Sequence, residues 1–238
     1  MAKHSKRYLA LLEKVDKTKY YKPEEAIPLL KSLSNVRFVE TVECAIKLNV
    51  DPKKQDQMVR GTCLLPHGTG KKVKVLVLTP GEGEKEALEA GADYVGFKEY
   101  IDKINQGWLD FDVVVTTPEA MKEVSKLGKI LGPRGLMPSP KTGTVTKDIG
   151  RVVKELKKGR IEFKVDRTGN IHAPIGKVNF TDHQLLDNFY TFLNEVLNAK
   201  PSGLKGSYIL KIALSTTMGP GLKIDVNYVI EEAKRRRA

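Results

Sequence analysis

Apolar and polar positions divide the chain into three pieces with different rhythms. In the first, to about residue 68, Tyr8, Leu9, Leu11, Leu12 and Val15 recur at helical spacing. A second helix is predicted from Pro23, with Glu24 and Glu25 in a first turn where the helix dipole favours acids. It would turn Ile27, Leu30 and Leu33 inward. FVETVECAIKLNV then alternates, with Val42, Cys44, Ile46 and Leu48 on one face and Thr41, Glu43 and Lys47 on the other. A period of two marks a strand covered on one side. DPKKQDQ reads as a loop and VRGTCLL as the partner strand.

The middle piece, about 69–158, begins with KVKVLVL, the continuous apolar run of a strand covered on both faces. EKEALEAGA is predicted as a helix ending at Gly91, ADYVG as a strand, and KEYIDKINQG as a helix. FDVVVTT is another strand, and PEAMKEVSKLGKIL a helix with Pro118 at its start. Strands alternating with helices at this spacing imply an open parallel sheet with helices on both sides.

The last piece, 159–238, returns to alternation. RIEFKVD and NIHAPIGKV flank RTG as a hairpin, and a helix is expected over 182–198 with Thr181 as N-cap. Leu185, Leu186, Phe189, Phe192, Leu193 and Val196 form its apolar stripe. YILKIAL and LKIDV are strands on either side of STTMGPG, and EEAKRRRA is a basic helix or tail. Neither outer piece has enough strands for a sound sheet alone. They are therefore expected to fold together (1–68 with 159–238) as an α+β domain, with 69–158 inserted as an α/β domain. Glycine at both crossings, LLPHGTG and KKGR, suits a hinge.

Charge adds a partner class. The chain of 238 residues carries 41 Lys+Arg against 29 Asp+Glu, a net +12. A surplus of this size points to a polyanion, nucleic acid or an anionic membrane surface. Residues 69–158 hold 16 basic and 13 acidic side chains; the outer pieces hold the other 25 and 16, so the surplus lies mainly there. No stretch approaches the roughly 18 apolar residues of a membrane span. MAKHSKRYLALLEK has no long apolar run, so a soluble cytoplasmic protein is expected. Cys44 and Cys63 have neither disulfide-scaffold nor metal-ligand spacing and are expected to be small buried residues.

Catalytic constellations are hard to find. GEGEKE, residues 81–86, lacks the third glycine of a dinucleotide fingerprint and the GK[ST] of a phosphate loop, and its acids would repel phosphate. His4, His67, His172 and His183 have no H-x-x-x-H spacing, and Ser125 and Ser139 lack a nucleophile-elbow context. Glu24 and Glu25 fit helix-start electrostatics better than acid–base work. No cofactor, no metal and no enzymatic activity are expected. The alternative, an enzyme binding a nucleotide or sugar phosphate in the middle domain, rests on fold analogy alone.

Two segments stand out. LGKILGPRGLMPSPKTGT, residues 127–144, is stiffened by proline and carries Lys129, Arg134 and Lys141. It reads either as a basic loop presented to phosphate or as a rigid crossover packed through Ile130, Leu131, Leu136 and Met137. STTMGPG, residues 215–221, sets three hydroxyl residues beside a methionine and a Gly-Pro-Gly.

Together with RFVETVECAIKLNVDPKKQDQMVRGTCLLPHGTGK, EAGADYVG, GWLDFDVVVTTP, GRIEFKVDRTGNIHAPIGK and STTMGPGLKID, the LGPRGLMP stretch gives a match over essentially the whole length. The chain resembles the bacterial large-subunit ribosomal protein L-one family, the proteins of the mobile side stalk. The resemblance implies a discontinuous α+β domain, an antiparallel sheet with helices built from both chain ends, and an inserted Rossmann-like three-layer α/β domain. It further implies a monomer when free that binds large-subunit ribosomal RNA, represses its own operon mRNA through a similar RNA fold, and assists release of exit-site tRNA. It places Ser215, Thr216, Thr217, Met218 and Gly219 on the RNA-facing surface. There Thr216 and Thr217 would offer compact donors and acceptors to 2′-hydroxyls, and Met218 a soft contact to a base or ribose. Gly219 and Gly221 would admit the RNA backbone and Pro220 would stiffen the turn. A second patch is Arg37, Phe38 and Thr41, where Phe38 either meets RNA or belongs to the core. A third is Arg167 with Thr168 and Gly169, Asp166 fixing that turn. Family members often carry Lys at the positions of Arg37 and Arg167, which keeps the charge but changes the hydrogen-bond geometry. Lys129, Arg134 and Lys141 are expected as secondary RNA or tRNA contacts.

Overall fold

A computed structural model describes residues 4–81, 83–204 and 206–236, without the Gln55 side chain. The start of MAKHSKRYLALLEK, the second residue of GEGEKE and the last two residues of EEAKRRRA lie outside the described residues. The first stretch forms α1 (Lys6–Glu13), α2 (Pro23–Leu33), β1 (Thr41–Leu48) and β2 (Arg60–Leu64). There follow β3 (Val75–Leu78), α3 (Gly83–Glu89), β4 (Tyr94–Gly96), α4 (Lys98–Asn105), β5 (Val113–Thr116), α5 (Met121–Val124), α6 (Gly128–Leu131) and α7 (Ile149–Lys158). The last stretch supplies β6 (Arg160–Lys164), β7 (Asn170–Lys177), α8 (Asp182–Asn198), β8 (Ile209–Thr216), β9 (Leu222–Ile224) and α9 (Val226–Arg235). Residues 1–70 and 161–238 make one compact unit, and residues 71–160 a second.

In the outer unit β1 is an inner strand of the antiparallel sheet β7-β1-β8-β9. Both its neighbours come from the far end of the chain, so the two ends must meet before β1 has any partner. Val42, Cys44, Ile46 and Leu48 are buried with Ile171, Ala173, Ile212 and Leu214 against Ile27, Leu30 and Leu33 of α2 and Leu185, Phe189, Phe192 and Leu193 of α8. Thr181 caps α8 with a reciprocal capping box to Gln184, which fixes the helix start. Asn188, fully buried on α8, accepts from the His67 backbone N–H at 3.1 Å and donates to the Gly68 and Ile175 carbonyls at 2.9 and 2.7 Å.

Three sequence expectations are corrected here. VRGTCLL does not pair with β1, whose two sides are taken by β7 and β8; β2 pairs with β6 in a separate two-stranded sheet. RIEFKVD and NIHAPIGKV are therefore not the arms of a hairpin, because β6 and β7 lie in different sheets. The strand read in LKIDV stops at Ile224, because the Asp225 carboxylate accepts from Asn227 and Tyr228 N–H and starts α9.

The inserted unit holds the parallel sheet β4-β3-β5. Alternate residues of its strands face opposite ways into two apolar clusters. Val75, Val77 and Val115 pack with Ala87 of α3 and Val152, Val153 and Leu156 of α7. Leu76, Leu78 and Val114 pack with Ile104, Val124, Leu127 and Leu131. The helix expected from Pro118 begins only at Met121 and is broken by a tighter turn at Ser125–Leu127, where the Ser125 hydroxyl donates back to the Met121 carbonyl at 2.7 Å. Residues 149–158 form α7, which the apolar pattern did not predict; Asp148 caps its start and left-handed Gly159 its end. Cys44 and Cys63 are buried and free, and burial pushes the Cys63 thiol up to about 12. Among the described residues no helix is long and apolar enough to cross a membrane.

Replacing Asn188 with Ala leaves the His67 N–H and two carbonyls without their partner. Chemical denaturation is expected to show a loss of about 2–3 kcal/mol; an unchanged midpoint would show that these bonds contribute nothing.

Candidate nucleic-acid interface

The face of the outer sheet opposite the helices is open. Its residues run in register across the strands: Lys177–Thr41, Pro174–Glu43–Ser215, His172–Ala45–Ala213–Lys223 and Asn170–Lys47–Lys211. Small side chains (Ala45, Ala213, Ser215) make the middle flat, and lysines stand at its borders. Such a floor lets a sugar-phosphate backbone approach the sheet closely.

One end of this face is closed by the STTMGPG turn. Thr217 N–H donates to the Thr41 carbonyl at 3.1 Å, and the Thr217 hydroxyl accepts from Thr41 N–H at 3.0 Å, so a side chain completes the β1–β8 ladder. Lys177 Nζ donates to the Thr41 hydroxyl at 2.8 Å. Beneath them Glu40 is only 1% exposed; its carboxylate accepts from Met218 N–H at 2.7 Å and, by a short bond, from the Ser34 hydroxyl. Arg7 donates from Nη2 to the Met218 carbonyl at 2.8 Å and from Nη1 to Asn35. With its backbone held from both sides, Met218 presents its thioether outward, 46% exposed. Phe38 at 53% and Val39 at 52% stand on the same approach to β1. Of the two roles left open for Phe38, the core role is excluded.

The expected patches do not form one cluster. Arg37, Phe38 and Thr41 join Thr217, Met218 and Gly219 at the start of β1. Arg167, Thr168 and Gly169 sit at its far end, where Gly169 accepts from Leu48 N–H at 2.8 Å and Lys47 Nζ donates to the Thr168 carbonyl. Seven residues of strand, about 23 Å, separate the two groups, with the flat floor between them. Arg167 and Thr168 are exposed. The Asn170 N–H and the Thr168 N–H and hydroxyl hold the Asp166 carboxyl well below the usual carboxylate range, so it stays ionised and shapes the turn.

Two site expectations need correction. Thr216 is 3% exposed, on the same face as Ile212 and Leu214, and its hydroxyl has no hydrogen-bond partner. It cannot offer that hydroxyl to a ligand; it lies directly under Gly219, where a Cβ would come within 2.3 Å of Thr216 Oγ1. Gly169 is buried with φ +82, surrounded by Lys47 Nζ and the Leu48 and Val50 carbonyls. Its role is to complete the turn. Sequence reading passed over Glu40, Lys177 and Arg7. Glu40 was detectable, since it shares the inward parity of Val42, Cys44 and Ile46.

In the inserted unit Lys129, Arg134 and Lys141 are exposed, while Ile130, Leu131, Leu136 and Met137 pack against the sheet. The segment packs and still presents its cations. A cavity of about 400 Å³ opens at the carboxyl ends of β3 and β5, the usual ligand position of open α/β sheets. Glu86 and Glu119 line it beside Lys147, and two carboxylates oppose a phosphate ligand.

An open, lysine-bordered sheet face with a locked turn at its edge is a surface suited to a polyanion such as nucleic acid. The chain belongs to the ribosomal protein L1p/L10e family, whose profile matches residues 30–220. It is 54% identical over 242 residues, covering 100% of both chains, to the large ribosomal subunit protein uL1 of Persephonella marina. It is 55% identical over 232 residues, covering 98% of this chain and 99% of the other, to that of Thermobifida fusca.

Thr216→Val removes a buried hydroxyl that bonds to nothing. It is expected to fold with equal or slightly higher stability, by up to about 1 kcal/mol. Gly219→Ala forces the turn to shift and is expected to destabilise the outer unit by about 1–3 kcal/mol. Thermal or urea denaturation of both variants checks the pair, and the opposite ranking would overturn the packing described.

Proposed function

We infer that the protein is a constituent of the large ribosomal subunit that binds large-subunit ribosomal RNA through the open face of the outer sheet, from the Met218 turn to Arg167. The observation that carries this is the convergence of Thr217, Met218, Phe38 and Thr41 on a turn whose backbone is fixed by Glu40 and Arg7. An exposed methionine and phenylalanine held on a rigid edge form a preorganised apolar contact for a base or ribose. Thr217 keeps hydroxyl capacity for a 2′-hydroxyl beyond its bond to Thr41. Arg37, Lys47, Arg167, Lys177, Lys211 and Lys223 supply charge for phosphates along the same face. The greater basic surplus of the outer unit and the names of the relatives support the reading.

On this reading a similar fold in the operon mRNA would occupy the same face, so translational repression follows from competition between message and ribosome. Lys129, Arg134 and Lys141 of the inserted unit are secondary contacts to RNA or to exit-site tRNA. The protein acts in the cytoplasm as a monomer until it joins the ribosome, without cofactor or membrane.

Binding to the isolated stalk RNA tests the assignment. Met218→Ala and Thr217→Val are expected to weaken affinity by about 10-fold or more, on the scale of one lost stacking or hydrogen-bonded contact. Thr217→Ser, which keeps the hydroxyl, is expected to restore most of it. The slope of log affinity against log salt should be about −3 to −5, the release expected from a handful of phosphate contacts. Wild-type affinity in Met218→Ala and Thr217→Val, or equal binding to duplex DNA, would refute the assignment.

A further inference from the structure

We propose that His67, His183 and Asp187 form a binding site for a divalent transition-metal ion, with zinc the best match, on the helical side of the outer unit. The three offer donor atoms that lie within 4.8 Å of one another. Asp187 Oδ2 is 2.9 Å from His183 Nδ1 and 3.1 Å from His67 Nε2. Around a tetrahedral zinc with bonds of about 2.0–2.2 Å, neighbouring ligand atoms stand about 3.3–3.5 Å apart. The two carboxylate–imidazole spacings reach that arrangement with shifts of a few tenths of an ångström, and the two imidazoles, within 4.8 Å of each other, close the rest by rotation of the exposed His183 side chain.

The scaffold explains why the three converge. His183 and Asp187 are four residues apart on α8, so they share one helix face. The Thr181–Gln184 capping box fixes the turn that carries His183. His67 comes from a segment 120 residues away, and Asn188, the neighbour of Asp187, holds it there through the His67 N–H and the Gly68 carbonyl. One turn of one helix thus supplies two ligands and the anchor of the third. The carboxylate is also divided between partners: Oδ2 faces the two imidazoles and Oδ1 lies 3.7 Å from Arg236 Nη1. An outer partner of this kind orients a ligating carboxylate.

Two nitrogens and one oxygen suit zinc better than magnesium or calcium, which prefer oxygen alone. The His183 side chain is 83% exposed, which leaves an entrance for the ion and a fourth position for water. Arg236 opposes the cation, but its charge is shared with Glu232 at 3.5 Å and it stacks on Tyr190 at 4.1 Å. The site is therefore weaker than one without that guanidinium. The site lies on α8, which covers the face of the sheet away from the open floor, so it is separate from the nucleic-acid surface. Its physical effect is to fasten the segment around His67 to α8.

Cobalt titration of the full-length protein tests the proposal, because low-symmetry nitrogen-oxygen ligation of Co2+ gives intense visible absorption that zinc removes on displacement. One equivalent is expected, together with a rise in thermal midpoint on adding zinc. His67→Ala, His183→Ala and Asp187→Asn should each weaken binding by at least about tenfold. Far-ultraviolet circular dichroism checks that they are folded, and His183→Ala, the most exposed of the three, is the variant least able to perturb the fold. A His4→Ala/His172→Ala double variant should titrate like wild type. Absence of the absorption, its survival in the three ligand variants, or its loss in the double variant would each overturn the site and leave a plain ion-pair cluster.

Discussion

The buried carboxylate of Glu40 is the constraint on which the outer unit's surface depends. It joins the Ser34 hydroxyl, just past α2, to the Met218 N–H, 178 residues along the chain. A carboxyl group this deep is tolerated only when its oxygens are bonded. The need to satisfy it therefore selects one conformation of the Met218 turn, and Arg7 fixes the following peptide through the Met218 carbonyl. An exposed thioether would otherwise fold back on the nearest apolar surface. Held this way it remains available to a partner, and the ordering cost is met during folding instead of during binding. Structure and proposed recognition meet in that single residue.

Much of the rest follows from strand parity. On β1 and β8 the inward positions carry Val42, Cys44 and Ile46 or Ile212 and Leu214, and the outward ones carry Thr41, Ala45, Ala213 and Ser215. The same rule explains both exceptions. Glu40 and Thr216 share the inward parity despite being polar, one satisfied and the other not. Thr216 has no bonded partner because Gly219 must pass directly over it. The tight turn thus leaves a buried hydroxyl unbonded, and that hydroxyl supports the backbone above it sterically.

The legible parts of the sequence were those where period and local signals agree. The inner face of β1, the α8 stripe with its Thr181 cap, and the apolar runs of β3 and β5 could be read directly. So could the discontinuity, since neither end holds enough strands. Strand partners were not legible. VRGTCLL follows FVETVECAIKLNV with only a loop between them, yet β1 is paired by strands from beyond the insertion, because long-range packing and not chain proximity chooses the neighbour. Individual surface residues were legible only where parity was applied. Grouping Thr216 with Thr217 by chemistry obscured that they point opposite ways, and naming the Arg167 turn and STTMGPG as separate patches gave no measure of the strand length between them. The convergence of His67 on His183 and Asp187 has no local signal at all, because Asn188 creates it across 121 residues.

The order of strands also bears on how the chain closes. β1 and β8 pair across more than half the chain, and an unfolded loop of that length adds to the entropic cost of closure. The inserted unit has a parallel sheet whose strands and helices are all drawn from one continuous segment, residues 71–160, with its own two apolar clusters. It can therefore form without waiting for the chain ends. Once formed, it replaces ninety flexible residues with a fixed body whose ends leave beside each other, because β2 and β6, on either side of it, are paired. The effective loop between β1 and its C-terminal partners is then much shorter. A discontinuous sheet that looks unfavourable by sequence separation becomes an ordinary closure problem, and the Glu40–Met218 bond, among the most distant in sequence, forms only when that closure is complete.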